Sequence, residues 1–248
     1  MSGHSKWSTI KHKKAANDSK RGKLFSKAVK EITAAARLGG GDVDMNPRLR
    51  SAIAAAKSGN VPNDNIEKAI LRGTGELEGA TLEEVVYEGY GPGGVAMIIE
   101  VITDNRNRAV ADIRHVLGKY DGRIGERGCV SWGFDKCGLI VVEAGSIDED
   151  ELFMVAADAG AEDLTPMDTA IEIITPFEQF DKVVTAIQST EADIQLAEIS
   201  MIPQNTVKLE GKAAEKMLRL MESLDELDDV QKVYANFDIP DDILETAA

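Results

Sequence analysis

Apolar side chains recur at Phe25, Ala28, Val29, Ile32 and Ala36, a spacing of i, i+3, i+4, i+7 and i+11 that predicts the buried face of a helix beginning near Asp18. Lys20, Lys23, Lys27, Lys30 and Arg37 form a second stripe. At about 100° per residue it lies opposite the first. Gly39, Gly40 and Gly41 end the helix. Asn46-Pro47 reads as an N-cap followed by proline at the first helical position, with Leu49, Ala52, Ile53 and Ala56 turned inward. Gly59-Asn60 stops that helix. Pro62-Asn63-Asp64 starts a third, with Ile66, Ala69 and Ile70 inward and Gly73 as its stop. Residues 1–14 have no hydrophobic period and read as an extended arm.

After a polar, Gly-rich stretch at 73–79 the period switches to near two. Val85–Tyr87 and Val95–Ile102 predict strands, Ala109–Tyr120 a helix, and Arg123–Phe134 a strand pair or one bent strand. Strands follow at Gly138–Glu143, Ala161–Leu164, Ala170–Thr175 and Ala197–Ile202, with helices at Glu149–Ala159 and Phe177–Ser189. Strand, helix, strand, strand, helix, strand is the ferredoxin-like order. Thr206–Leu209, Lys212–Leu224 and Val230–Phe237 then supply a strand, a helix and a last strand that cannot enclose a core by themselves. The expected fold is therefore α+β and multi-domain. A basic arm and helical bundle take 1–79, a discontinuous middle domain takes 80–136 plus 204–248, and an inserted ferredoxin-like domain takes 137–203.

Composition changes this picture in one respect. The 248 residues carry a net charge of −15, which by itself argues against a nucleic-acid binder. The charge is unevenly placed. Residues 1–75 hold 15 bases and 6 acids, whereas residues 137–203 hold 15 acids and a single base, Lys182. Such asymmetry implies that one end meets a polyanion and another part avoids it.

Most catalytic and cofactor chemistries lack a foothold. Gly89-Tyr90-Gly91-Pro92-Gly93-Gly94 spells a dinucleotide fingerprint, but β-branched and apolar residues follow it where a helix is needed, and Pro92 removes a backbone donor. It reads as a strand-connecting turn, or else as a backbone-lined surface for a large partner. Cys129 and Cys137 form no CxxC pair and are expected as small buried residues in a reducing cytoplasm. His4, His12 and His115 are scattered, with no ligand spacing around them. Ser131 lies outside any nucleophile elbow. No enzymatic activity, cofactor, metal or small-molecule substrate is expected. No apolar run spans a membrane, and the basic N-terminus has no secretory apolar core.

The candidate chemistry is phosphate recognition. Lys6, Lys11, Lys13, Lys14, Lys20, Arg21, Lys23, Lys27 and Lys30 face one acid, Asp18, within 30 residues, and Trp7 could stack on a base. Arg48 and Arg50 would fix position. Arg106 and Arg108 sit at the start of a helix, which is unfavourable for cations. They form either a phosphate seat or internal ion pairs. The acidic domain reads as a solvated spacer or as the site of a basic protein partner.

Several of these stretches together resemble the YebC/PmpR family. They include Gly3-His4-Ser5-Lys6-Trp7, Lys20-Arg21-Gly22-Lys23, Asn46-Pro47-Arg48-Leu49-Arg50, Asn60-Val61-Pro62, Tyr87 to Val95, Thr103 to Arg108, and Asp228-Asp229-Val230-Gln231 with Val233-Tyr234. Ser26 to Val29 and Cys129 to Trp132 are local departures. The resemblance spans the chain and implies a three-domain cytosolic protein without catalytic residues or cofactor. Family members are described as DNA-binding transcriptional regulators. Others look like ribosome-associated factors that meet rRNA or tRNA and relieve stalling at proline runs, and mitochondrial relatives activate translation. Composition does not choose between DNA and RNA.

Overall fold

The computed structural model describes residues 21–167, 169–240 and 243–244; of Arg21 only the backbone is described. The fold is α+β. The described chain divides into two compact units, one of residues 21–130 with 209–235, 239–240 and 243–244, the other of residues 131–208 with 236–238.

In the first unit, α1 (Arg21–Gly39), α2 (Pro47–Ser58) and α3 (Asn63–Thr74) pack around Ile32, Ala35, Ala36, Leu49, Ala56, Ile66 and Ala69. The expected apolar faces are the buried ones. The start proposed near Asp18 lies outside the described residues. Small side chains let the helices approach closely. At Gly73 a Cβ would lie 2.6 Å from both the Ala36 Cβ and the Thr33 carbonyl oxygen. Gly73→Ala should therefore push α3 away from α1 and lower stability by about 2 kcal/mol in urea melts, against the gain of a few tenths to 1 kcal/mol expected for alanine in an open helix. A neutral or stabilising result would mean that the helices separate freely. Buried Asn46 joins two helix ends. Its Oδ1 accepts from the Leu49 amide at 3.0 Å, capping α2, and its Nδ2 donates to the Ala35 and Gly40 carbonyls at 2.9 Å each.

The same unit carries an antiparallel sheet of order β3-β1-β2-β9, built from β1 (Glu83–Tyr90), β2 (Ala96–Thr103), β3 (Arg123–Ile124) and β9 (Val230–Ala235). Two helices, α4 (Arg106–Lys119) and α7 (Gly211–Asp225), contact each other and this sheet. They bury Ile113, Leu117, Met217, Leu220, Met221 and Leu224. The glycine-rich stretch is a turn joining β1 to β2. Pro92–Gly94 makes one 3₁₀ turn with φ +69° at Gly93 and +80° at Gly94. A Cβ at Gly91 would meet the Met97 and Met217 sulfurs at 3.0 Å. Its glycines thus serve the turn and close packing.

In the second unit, β4 (Phe134–Glu143), α5 (Glu149–Ala159), β5 (Asp163–Pro166), β6 (Ala170–Pro176), α6 (Phe180–Gln188) and β7 (Ile194–Pro203) follow in chain order. Their sheet has the order β5-β6-β4-β7 with every neighbour antiparallel, which is the ferredoxin-like arrangement. Both helices pack on the face bearing Ile140, Val142, Ile171 and Ile173.

Four sequence expectations change. Arg123–Phe134 forms strand only at Arg123–Ile124, because Glu88 draws the following loop inward. This buried carboxylate accepts from the Gly128 and Val130 amides at 2.6 and 2.8 Å, so those donors bond a side chain instead of a strand. Val230–Phe237 breaks at Asn236. Beyond it, β10 (Phe237–Asp238) pairs in parallel with β8 (Val207–Lys208), so the strand expected at Thr206–Leu209 does not join the first sheet. The helix expected from Phe177 opens as a 3₁₀ turn. Cys137 is buried as expected, but Cys129 is only half-buried.

Candidate nucleic-acid interface

The arm residues Lys6, Trp7, Lys11, Lys13 and Lys14, together with Lys20, lie outside the described residues. Arg21 opens α1. The remaining lysines of the stripe point at the C-terminal end of α7, about 200 residues away in sequence. Lys23 Nζ donates to the Glu226 carbonyl at 3.1 Å, Lys27 Nζ to that of Asp225 at 2.7 Å, and Lys30 Nζ to that of Asp228 at 2.9 Å. A helix C-terminus carries orphan carbonyls and the negative end of the dipole, so ammonium groups are favourable there. These lysines hold α1 against α7.

Asp229, just after that helix end, is the centre of the cluster. It is 7% exposed and takes Lys30 Nζ at 2.6 Å and the Arg108 guanidinium at 2.9 Å. Burial works to raise its pKa, but the hydrogen bonds from Lys30 and Arg108 outweigh this and hold the carboxyl below its ordinary value. Arg108 also pairs with Asp104 at 2.6 Å, and Asn105 caps α4 by accepting from the Arg108 amide. The helix-start arginines thus sit in ion pairs, with Arg106 Nε 3.4 Å from Glu83.

Arg48 bridges two carboxylates, Glu31 at 2.8 Å and Glu84 at 3.0 Å. Its burial disfavours the charged form, and the two carboxylates more than restore it. Arg50 differs. It is exposed, and among the described residues its guanidinium bonds only carbonyls, those of Val43 and Asp44 at 3.1 and 3.2 Å. Such bonds leave the cationic charge uncompensated. Lys57 lies seven residues on, on the same exposed side of α2, and α2 contains no carboxylate. Lys57 was not among the sequence candidates. Its spacing from Arg50 was the available signal. Asp229 was also missed, since nothing local marks an acid as the receiver of Lys30 and Arg108.

Burial, reinforced by Glu172 and Asp135, pushes the Cys137 thiol up to about 11, which keeps it protonated and unreactive near neutrality. His115 is exposed on α4. Among the described residues no helix is long and apolar enough to cross a membrane.

Comparison with known proteins covers nearly the whole chain. The model of the TACO1/YebC protein N-terminal domain matches residues 5–76, and that of the TACO1/YebC second and third domain matches residues 82–237. A probable transcriptional regulatory protein of Desulforapulum autotrophicum is 57% identical over 98% of both chains. One from Geobacter sp. strain M21 is 58% identical over 99% of both. The crystal structure of a conserved hypothetical protein from Aquifex aeolicus superposes with a TM-score of 0.82 at 47% identity, covering 90% of this chain and 92% of that one.

Proposed function

Because the chain belongs to the TACO1/YebC family, we propose that it regulates gene expression by binding nucleic acid through its N-terminal 75 residues, with duplex DNA as the target. The observation that carries this reading is the segregation of charge, 15 bases against 6 acids in residues 1–75. Within the described part, α2 offers Arg50 and Lys57 on one exposed side, and the helix itself contains no carboxylate. Lys6, Trp7, Lys11, Lys13 and Lys14 add contacts from the arm, and Lys20 and Arg21 from the stretch that leads into α1. Lys23, Lys27, Lys30, Arg48, Arg106 and Arg108 act chiefly by holding the surface in place, since each already bonds within the protein.

If about five cations meet duplex phosphates, log K falls with log salt at a slope near −4.5, from about −0.9 per contact. Anisotropy titrations of a labelled duplex between 50 and 300 mM salt (about a sixfold range) measure it, and a flat profile would overturn the electrostatic account.

One observation favours a second reading, a ribosome-associated translation factor on rRNA or tRNA. Arg48 and Asn46, the pair best suited to reading base edges at the start of α2, are both taken by internal partners. Contact through phosphates alone suits folded RNA as well as duplex DNA. Sedimentation of lysate through sucrose separates the two. Co-migration with ribosomes that is lost on removing residues 1–14 supports translation, whereas free protein that shifts a promoter fragment supports transcription.

A further inference from the structure

Helix α5 buries Leu152, Ala156 and Ala159 in the core of its unit. Asp150, Phe153, Met154, Ala157 and Asp158 occupy its outward side at i, i+3, i+4, i+7 and i+8, and all five are exposed. Phe153 is 57% exposed and Met154 62%. Two large apolar side chains therefore stand together in water, on a face about 12 Å long.

The charges that α5 itself places around this patch are all anionic. Glu149, Asp150, Glu151 and Asp158 lie on α5, which carries no base, and residues 137–203 contain only Lys182 against 15 acids. The first three are explained by the helix itself, because acids favour the positive end of its dipole. Asp158 is not. It lies in the last turn, where a carboxylate is unfavourable unless a cation meets it. An apolar centre with an acidic margin at both ends is complementary to an apolar anchor set between lysines or arginines. The same charges repel nucleic acid and anionic lipid.

We propose that the outward face of α5 docks a cationic protein segment, with Phe153 and Met154 receiving its apolar anchor and Asp150 and Asp158 its flanking charges. The docking residues lie in the second unit, apart in sequence from residues 1–75, so this inference and its test do not depend on the nucleic-acid reading.

The test uses the full chain and an 18-residue amphipathic helix made only of lysine and leucine, followed by fluorescence anisotropy at low and high salt. The expected result is micromolar binding, weakened at least tenfold by Phe153→Ser with Met154→Ser. Asp150→Asn with Asp158→Asn should weaken it about fivefold and flatten its salt dependence. Asp163→Asn with Asp181→Asn makes the same charge change elsewhere in the unit and should alter binding less than twofold. No binding, or equal weakening by all three pairs, would overturn the proposal, since the first removes the site and the second reduces it to a general field. Sedimentation equilibrium that reveals self-association abolished by the Phe153/Met154 pair would assign the face to a second copy instead. Binding of anionic vesicles lost in that same pair would assign it to a membrane. Thermal melts of the serine pair should match the parent; if they do not, the asparagine pairs still decide the outcome.

Discussion

Asp229→Asn should lower the unfolding free energy by about 2 kcal/mol at pH 7, measured by urea titration. The carboxylate is nearly buried and receives two cations, Lys30 and Arg108. Hydrogen bonds to charged groups contribute about 1.5–3 kcal/mol each, and losing the acceptor leaves cations facing a neutral amide. The loss is moderated because Arg108 keeps Asp104 and Lys30 keeps the Asp228 carbonyl. The pH dependence gives a sharper check. The folded carboxyl titrates below its ordinary value of 3.8, so its contribution is complete at neutral pH and is lost as pH falls through the folded pKa. The difference between parent and Asp229→Asn should stay constant from pH 7 to about 5 and shrink toward pH 2. A gap that persists unchanged at pH 2 would assign the loss to packing instead of charge.

What could be read in the chain follows from how local each signal is. The inward face of α1 and the Asn46-Pro47 cap depend on residues within a turn or two of each other, and both appear as expected. The order of strands and helices from β4 to β7 depends only on periodicity and turn residues, and it leads to the observed sheet. The targets of Lys23, Lys27 and Lys30 follow a different rule. Their acceptors are carbonyls, which every residue possesses, on a helix end far along the chain. A lysine stripe therefore looks the same in sequence whether it meets phosphate or a helix C-terminus. Glu88 was hidden for a related reason. A strand carboxylate normally faces water, and only the fold brings the Gly128 and Val130 amides to it. Asn236 likewise gives no local sign that the chain leaves one sheet there and joins another.

That distinction between docked and available cations leads to the largest functional effect. Arg50→Glu with Lys57→Glu should reduce affinity for a labelled duplex or for folded RNA about 10²-fold at 0.1 M salt. Each lost phosphate contact forfeits about 0.9 log units at that salt concentration, so two contacts account for most of the loss, and the reversed charges add repulsion. Both side chains are exposed, and neither takes part in an ion pair recorded among the described residues. The variant should therefore melt close to the parent. Lys23→Gln with Lys27→Gln should behave in the opposite way. It loosens the hold of α1 on the end of α7, so urea stability falls while affinity per folded molecule changes by less than about threefold, given that these ammonium groups already face carbonyls. If instead the α1 pair abolishes binding and the α2 pair does not, the phosphates must displace the internal carbonyls. Nucleic-acid binding would then require α1 to leave its seat at the end of α7, and the binding surface would be the lysine stripe itself.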